Sequence, residues 1–281
     1  MKVKVKEPAP QEPSERVSLC HLLQETTYLV FVLLDSRGGP AELIGSGTAV
    51  AVNSRGDLLT AAHVVTTRLP VRPDDVQDPN LVILAKRKSG AFSRYSSPLC
   101  GLSVDLGELL TGPLTVDLAV LRPVEVQRDV AFLPMSTRSP TVGESVLMAG
   151  YPDDIELPFS FDQMLPASFV QVQEQRVNLE VSKRLMMIRS GMVGHSAGVK
   201  INEDYEGDFF HVDNVLHSGA SGGPVVTETG ELLGILTKRA ITRVAYEETP
   251  RLRVPSGAAV AITPRILLPK LKELDVLPGS A

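Results

Sequence analysis

Gly219-Ala220-Ser221-Gly222-Gly223-Pro224 constrains this chain more than any other segment. Three glycines and a closing proline around one serine make a turn open to backbone angles that other residues avoid, with N–H groups free to point at a ligand. A serine hydroxyl is a poor nucleophile at neutral pH. It needs a base for its proton and donors for the oxyanion it creates. The apolar run Leu58-Leu59-Thr60-Ala61-Ala62 ends on His63, and Val116-Asp117-Leu118-Ala119-Val120-Leu121 sets Asp117 at the start of a second apolar strand. Asp105 sits in another Val-Asp-Leu triplet and is the rival for the aspartate, but Gly107-Glu108 follows it in place of an apolar strand. The backbone N–H groups of Gly219 and Ser221 are the natural oxyanion donors, and Gly222 and Gly223 keep the turn free of Cβ clashes. A serine in a glycine turn or a histidine ending a strand is commonly structural when met alone. The combination points to chemistry.

The chain order His, Asp, Ser is that of the chymotrypsin arrangement and neither the subtilisin nor the α/β-hydrolase order. At these residues the chain resembles the trypsin/chymotrypsin superfamily, and within it the HtrA/Deg branch. Asp213-Asn214-Val215-Leu216-His217-Ser218 leads into Gly219 as the branch's own approach to its nucleophile does, without a gap. Gly230 to Thr237 resembles the strand that follows, and Gly257 to Ile262 the strand that closes the specificity pocket. Gly191-Met192-Val193-Gly194 and Val142-Gly143-Glu144-Ser145-Val146 resemble strand starts, so the likeness runs from about residue 26 to 270. It implies an all-β, chymotrypsin-like fold of two antiparallel six-stranded β-barrels with a C-terminal helix, the His63-Asp117-Ser221 triad lying in the cleft between them.

Departures from that pattern also carry information. Val64 and Thr227 stand where secreted animal enzymes of the superfamily usually carry half-cystines. Ala220 stands where zymogens carry an aspartate that pairs with a newly cut N-terminus, so activation by N-terminal cleavage is not expected, as in the HtrA/Deg branch. By the same likeness Val215 and Leu216 line the base and wall of the specificity pocket. With no acidic residue there, small or medium aliphatic side chains are expected to fit and Lys or Arg is not. Arg239 reaches the pocket rim, and His217 either touches substrate or supports the oxyanion turn. The segment Thr237, Lys238, Arg239 is expected to pair with substrate backbone. Thr237 aligns with a hydroxyl residue that bonds the catalytic aspartate; the alternative is an ordinary strand threonine.

With 281 residues, 43% of them hydrophobic, the chain can bury the cores of two barrels. A net charge of −5 lacks the basic footprint that nucleic-acid binding requires. Cys20 and Cys100 permit one disulfide at most, which is no secreted framework. The lysine-rich start runs into Glu7-Pro8-Ala9-Pro10 where a secretory leader needs an apolar stretch, and Tyr28 to Leu34 is too short to span a bilayer. A cytoplasmic location and no membrane span are therefore expected. The histidines lack cysteine partners at zinc spacing, so neither metal nor cofactor is expected.

Along the chain, residues 1–16 read as a disordered Pro/Glu/Lys-rich tail, 17–135 as the N-terminal barrel carrying His63 and Asp117, and 136–275 as the C-terminal barrel carrying Ser221. A short helix is expected over 17–25, and Pro264 to Leu274 has the apolar spacing of a closing helix. Residues 153–185 form an insertion near the cleft rim, with Phe169 to Arg184 either helical or a long hairpin. The few residues after the closing helix are too short for the PDZ module usual in HtrA/Deg proteins. The reading is a serine endopeptidase acting on extended polypeptides through an acyl-enzyme. The alternatives are a pseudoprotease or peptide-binding module, or a catalytic domain needing a homo-oligomer or a separate regulatory partner.

Overall fold

The computed structural model describes residues 15–35, 41–66, 80–88, 91–104, 114–153, 168–172, 175–179, 184–214, 218–244 and 252–277. Helix α1 (Glu15–Thr26) runs without a break into β1 (Thr27–Leu34), and β2 (Glu42–Ala51), β3 (Leu58–Thr60), α2 (Ala62–Val65), β4 (Leu81–Arg87), β5 (Ser93–Val104) and β6 (Leu114–Pro123) follow. The six strands close a barrel in the order β1-β2-β3-β6-β5-β4, every neighbouring pair antiparallel. Next come β7 (Ser145–Gly150), the hairpin β8 (Ser168–Val172) and β9 (Gln175–Leu179), then β10 (Met187–Lys200), β11 (Glu206–Val212), β12 (Pro224–Thr227), β13 (Leu232–Val244) and β14 (Leu252–Ile262). All but the hairpin close a second barrel, β10-β11-β14-β13-β12-β7. A 3₁₀ turn (Pro264–Leu267) and α3 (Leu268–Glu273) complete the described chain. The chain thus has the all-β, chymotrypsin-like fold of two six-stranded antiparallel barrels and a C-terminal helix.

Strand alternation sorts side chains between the two barrel interiors and the seam. Ala49 and Ala51 of β2 face the first barrel's core with Leu58, Ala119 and Leu121, while Val50 and Val52 face a cluster shared with the second barrel. On β7, Val146 and Met148 face the second core, whereas Leu147 and Ala149 join that shared cluster. Because both faces of these strands are buried, they read in sequence as continuous apolar runs. Leu19 and Leu23 of α1, and Ile266, Leu267, Leu271 and Val276 at the C-terminal end, close the seam from outside.

The C-terminal end is fastened to the first barrel by polar contacts around buried Asp57. Its carboxylate takes bonds from Arg122 Nε (3.0 Å), Arg55 Nη2 (3.2 Å) and Asn53 Nδ2 (2.7 Å). Arg122 and Asn53 donate in turn to the Leu274 and Val276 carbonyls at 2.5 and 2.7 Å. The Asp275 carboxylate on Arg55 raises the guanidinium's affinity for its proton.

Some elements differ from the sequence reading. The first helix begins at Glu15, ahead of residue 17. Gly191 to Gly194 lies inside β10, not at a strand start, because one long strand serves two neighbours: Met187–Met192 pairs with β7 and Val193–Lys200 with β11. Gly191 stands at the changeover, where a Cβ would meet Val212 Cγ1 at 2.5 Å. Within the insertion, the hairpin alternative holds for β8 and β9. Residues 1–14, Asp105 and Leu106 lie outside the described residues. Among the described residues no helix is long and apolar enough to cross a membrane.

The second barrel's core is built around Phe210, whose ring lies where a Cβ on Gly234 would stand, 2.4 Å from Cζ. Phe210→Ala is expected to lower unfolding free energy by about 3–5 kcal/mol, measured by urea titration. Gly234→Val, which fills the ring's place, should destabilise as well.

Candidate active site

His63 was expected to end a strand; it stands instead one residue into the short helix α2. Val64 N–H bonds Ala61 O and Thr66 N–H bonds Ala62 O, which turns the chain at the barrel mouth. Room for the turn comes from β2, where Cβ atoms on Gly45 and Gly47 would lie 2.9 Å from Val64 O and 2.6 Å from Val64 Cγ2. Ala62, Val64 and Val65 are buried, and the His63 side chain keeps 28% of its surface exposed.

Asp117 lies within β6, three residues past its start, and the alternation of that strand puts it on the face of Ala119 and Leu121. Its carboxylate, 7% exposed, holds His63 at two points. Oδ1 accepts the His63 backbone N–H at 2.9 Å and Oδ2 meets ring Nδ1 at 2.8 Å. With Nδ1–H donated to the carboxylate, Nε2 is left as the basic nitrogen. The two-point grip fixes the ring and the helical turn together.

Ser221 is presented by a turn wedged between the barrels. The Ser221 carbonyl accepts Thr48 N–H at 2.8 Å, Gly222 N–H bonds Leu236 O at 2.7 Å, and Gly223 O accepts Leu236 N–H at 2.9 Å. Gly222 has φ +85°, and its Cβ would fall 2.0 Å from Thr48 O and 2.2 Å from Thr60 Oγ1. The serine turn therefore touches the residues that lead into His63. Among the described residues the N–H groups of Gly219 and Ser221 make no hydrogen bond, which leaves two donors on one turn. Ser221 Oγ and the His63 ring share no hydrogen bond among the described residues; in unliganded sites that contact commonly tightens only when substrate arrives.

One contributor was missed in the sequence. Buried Thr48 donates its hydroxyl to Gly219 O at 2.9 Å and accepts Tyr151 N–H at 2.9 Å, while Thr60 Oγ1 donates to Thr48 O at 2.6 Å. One side chain of the first barrel thereby ties both the serine turn and the end of β7. The small-residue run Gly45-Ser46-Gly47-Thr48 was the available signal, and strand alternation hides it.

The other expected residues divide. Thr237, aligned with a residue that bonds the aspartate, sends its hydroxyl to Val260 O at 3.4 Å. Lys238 is exposed and pairs with Val260, and Arg239 pairs with Ala259 in the same ladder. Val215, Leu216, His217 and the Arg239 side chain lie outside the described residues. No group of three metal-ligating side chains occurs among the described residues. A groove of about 570 Å³ beside the start of α1, lined by Ser145, Ser190, Met192, Asp213 and Glu228 among others, includes none of His63, Asp117 or Ser221.

A family model described as a trypsin-like peptidase domain matches residues 47–235, a span that contains His63, Asp117 and Ser221. No curated protein matches the chain by sequence. Among solved structures, the crystal structure of the serine endoprotease from Yersinia pestis is similar with a TM-score of 0.52 and 20% identity, over 95% of this chain and 68% of that one. At that identity the likeness speaks for the fold.

The geometry of the turn makes Gly222 replaceable by no other residue. Gly222→Ala combines a left-handed backbone with direct overlap and is expected to cost more than about 3 kcal/mol. Gly143→Ala, at φ +90° with nothing within 4 Å of its Cβ, should show backbone strain alone, about 1–2 kcal/mol. Thermal melts of the two variants beside the parent check the difference.

Proposed function

Because the chain belongs to the trypsin-like peptidase domain family, we propose that it is a serine endopeptidase in which Ser221 is the nucleophile, His63 the general base and Asp117 the residue that orients it. The observation that carries this reading is the two-point hold of buried Asp117 on a partly exposed His63, beside a serine turn with two N–H groups unbonded among the described residues. His63 Nε2 takes the Ser221 proton as Oγ attacks the peptide carbonyl, and the N–H groups of Gly219 and Ser221 receive the developing oxyanion. His63 then gives the proton to the departing amine. Water, deprotonated by the same histidine, releases the acyl group. Asp117 stays ionised throughout and stabilises the imidazolium between these steps.

The substrate is proposed to bind as an extended strand along Thr237, Lys238 and Arg239. Support comes from the ladder: β12 pairs with β13 only as far as Ile235, and β14 occupies one side of β13 beyond it. An extended chain can add its backbone bonds to the other side, which a folded segment cannot. The likeness to the HtrA/Deg branch extends the proposal to a pocket for small or medium aliphatic side chains, walled by Val215 and Leu216.

Ser221→Ala and His63→Ala are each expected to reduce turnover by about 10⁴- to 10⁶-fold with folding retained, and the double variant to be little worse. A fluorophosphonate probe should label the parent and leave Ser221→Ala unlabelled. A parent that binds peptide but takes no label would identify a binding module in place of an enzyme. Activity should fall on acidification, since a protonated His63 cannot accept the serine proton, and EDTA should leave it unchanged.

Cleavage is expected after Val, Ala, Thr or Leu. A lysine desolvated in a pocket without a counter-charge costs several kcal/mol, enough to suppress such sites about a hundredfold. Mass-spectrometric mapping of cuts in denatured casein checks this; dominant cleavage after Lys or Arg would refute the pocket and leave the triad standing.

A further inference from the structure

We propose that Arg184 and Asp153 are positioning residues for the oxyanion hole, acting together through the peptide bond between Ser218 and Gly219. The inference rests on the reading of Gly219 N–H as an oxyanion donor. In a planar trans peptide the Ser218 carbonyl and the Gly219 N–H point in opposite directions, so whatever holds one aims the other. The Ser218 carbonyl is held by Asp153 N–H at 2.8 Å. Gly219, at φ +84°, has no Cβ to resist a flip of that peptide. The direction of the donor therefore depends on where Asp153 is kept.

Asp153 is kept in place by its side chain. Its Oδ2 lies 4.0 Å from Arg184 Nη2, and the Arg184 guanidinium sits 5.2 Å from the centre of the Phe31 ring. Phe31 belongs to β1 and is buried in a cluster with Leu29, Tyr151 and Val172. That cluster joins the first barrel, the end of β7 and the β8–β9 hairpin. Arg184 is thus a strap between the first barrel and the root of the oxyanion turn.

The cation is held there against its own preference. The Arg184 side chain is only 16% exposed, and among the described residues Nη1 is buried without a hydrogen-bond partner. Burial pushes the guanidinium's proton affinity down, and Asp153 works against that shift. A buried, incompletely bonded charge is an expensive way to fill space. An apolar side chain would pack on Phe31 at lower cost and could not hold Asp153.

Asp153 lies directly behind Gly219, where a Cβ would be 2.9 Å from Asp153 N and 3.0 Å from its Cγ.

The test is steady-state kinetics on a peptide substrate for Arg184→Gln, Arg184→Lys, Asp153→Asn and the double Arg184→Gln/Asp153→Asn, with amide hydrogen exchange followed at Asp153. The expected result is a kcat lowered about 10- to 100-fold by Arg184→Gln and by Asp153→Asn with KM little changed. Arg184→Lys should recover part of the loss, and the double variant should be no worse than either single one. Melting temperatures of the variants are measured alongside, because changing one partner of a buried ion pair also changes stability; kinetics and exchange are compared at a temperature where every variant is folded. Exchange at Asp153 N–H should quicken in Arg184→Gln. Losses confined to KM, losses that multiply in the double variant, or unaltered exchange at Asp153 would each overturn the proposal. If Arg184→Gln does not fold, Arg184→Lys and Asp153→Asn carry the same comparison. A parent chain that neither cleaves nor takes a fluorophosphonate label would sink the peptidase reading instead, and the exchange measurement would still decide whether Arg184 holds Asp153.

Discussion

The molecule depends on one close approach: the serine turn is pressed between the barrels at backbone distance. Gly222 leaves no space for a Cβ against Thr48 O and Thr60 Oγ1, and Gly223 leaves none against Ala149 O. The first barrel meets the turn through Thr48 N–H on Ser221 O and Thr48 Oγ1 on Gly219 O. The second meets it through Leu236 on Gly222 and Gly223. A seam closed by main-chain hydrogen bonds has little freedom to slide, since each bond tolerates only a few tenths of an ångström. Fixing the turn fixes the relative placement of the barrels, and the converse holds.

The apolar seam makes that registry affordable. Val50, Val52, Val116, Leu118 and Val120 from one barrel meet Leu147, Ala149, Val226, Leu232 and Ile235 from the other, and the burial of this area is the driving force that closes the two halves. Leu19 and Leu23 of α1 and the C-terminal Ile266, Leu267 and Leu271 cover its flanks. The polar knot at Asp57 has a different part. It adds direction, holding the Leu274 and Val276 carbonyls at the first barrel so that the C-terminal helix docks in one orientation.

At the site itself, first-barrel and second-barrel contributions differ in kind. His63 and Asp117 both come from the first barrel and are locked together by two hydrogen bonds, so the imidazole is oriented from within that barrel. The serine turn comes from the second barrel and is oriented by neighbours outside it: Thr48, which Tyr151 N–H holds, and Asp153. The placement of His63 relative to Ser221 is consequently a property of the seam. Behind the turn, the Ser218 carbonyl accepts Asp153 N–H, and the Asp153 carboxylate faces Arg184.

Much of this was legible in the chain because it is written in contiguous segments. Glycines at 219, 222 and 223 mark a turn by what they lack, and apolar runs such as Leu58–Ala62 and Val116–Leu121 mark strands buried on both faces. Together with the order of His63, Asp117 and Ser221, these carry the resemblance to the trypsin/chymotrypsin superfamily, and it was that resemblance that implied the two barrels. The helical turn under His63 was hidden because its cause, the space left by Gly45 and Gly47, lies on another strand. Thr237 was read either as a residue that bonds the aspartate or as an ordinary strand threonine, and its hydroxyl meets Val260 O because β14 runs beside it. Thr48 and Gly219 are 171 positions apart, and no pattern within either segment announces their bond. Local composition and periodicity determined which residues turn, which lie in strands and which face each strand shows. Which hydroxyl meets which carbonyl was decided only when two closed barrels met, because a hydrogen bond depends on distances of a few tenths of an ångström that periodicity does not encode.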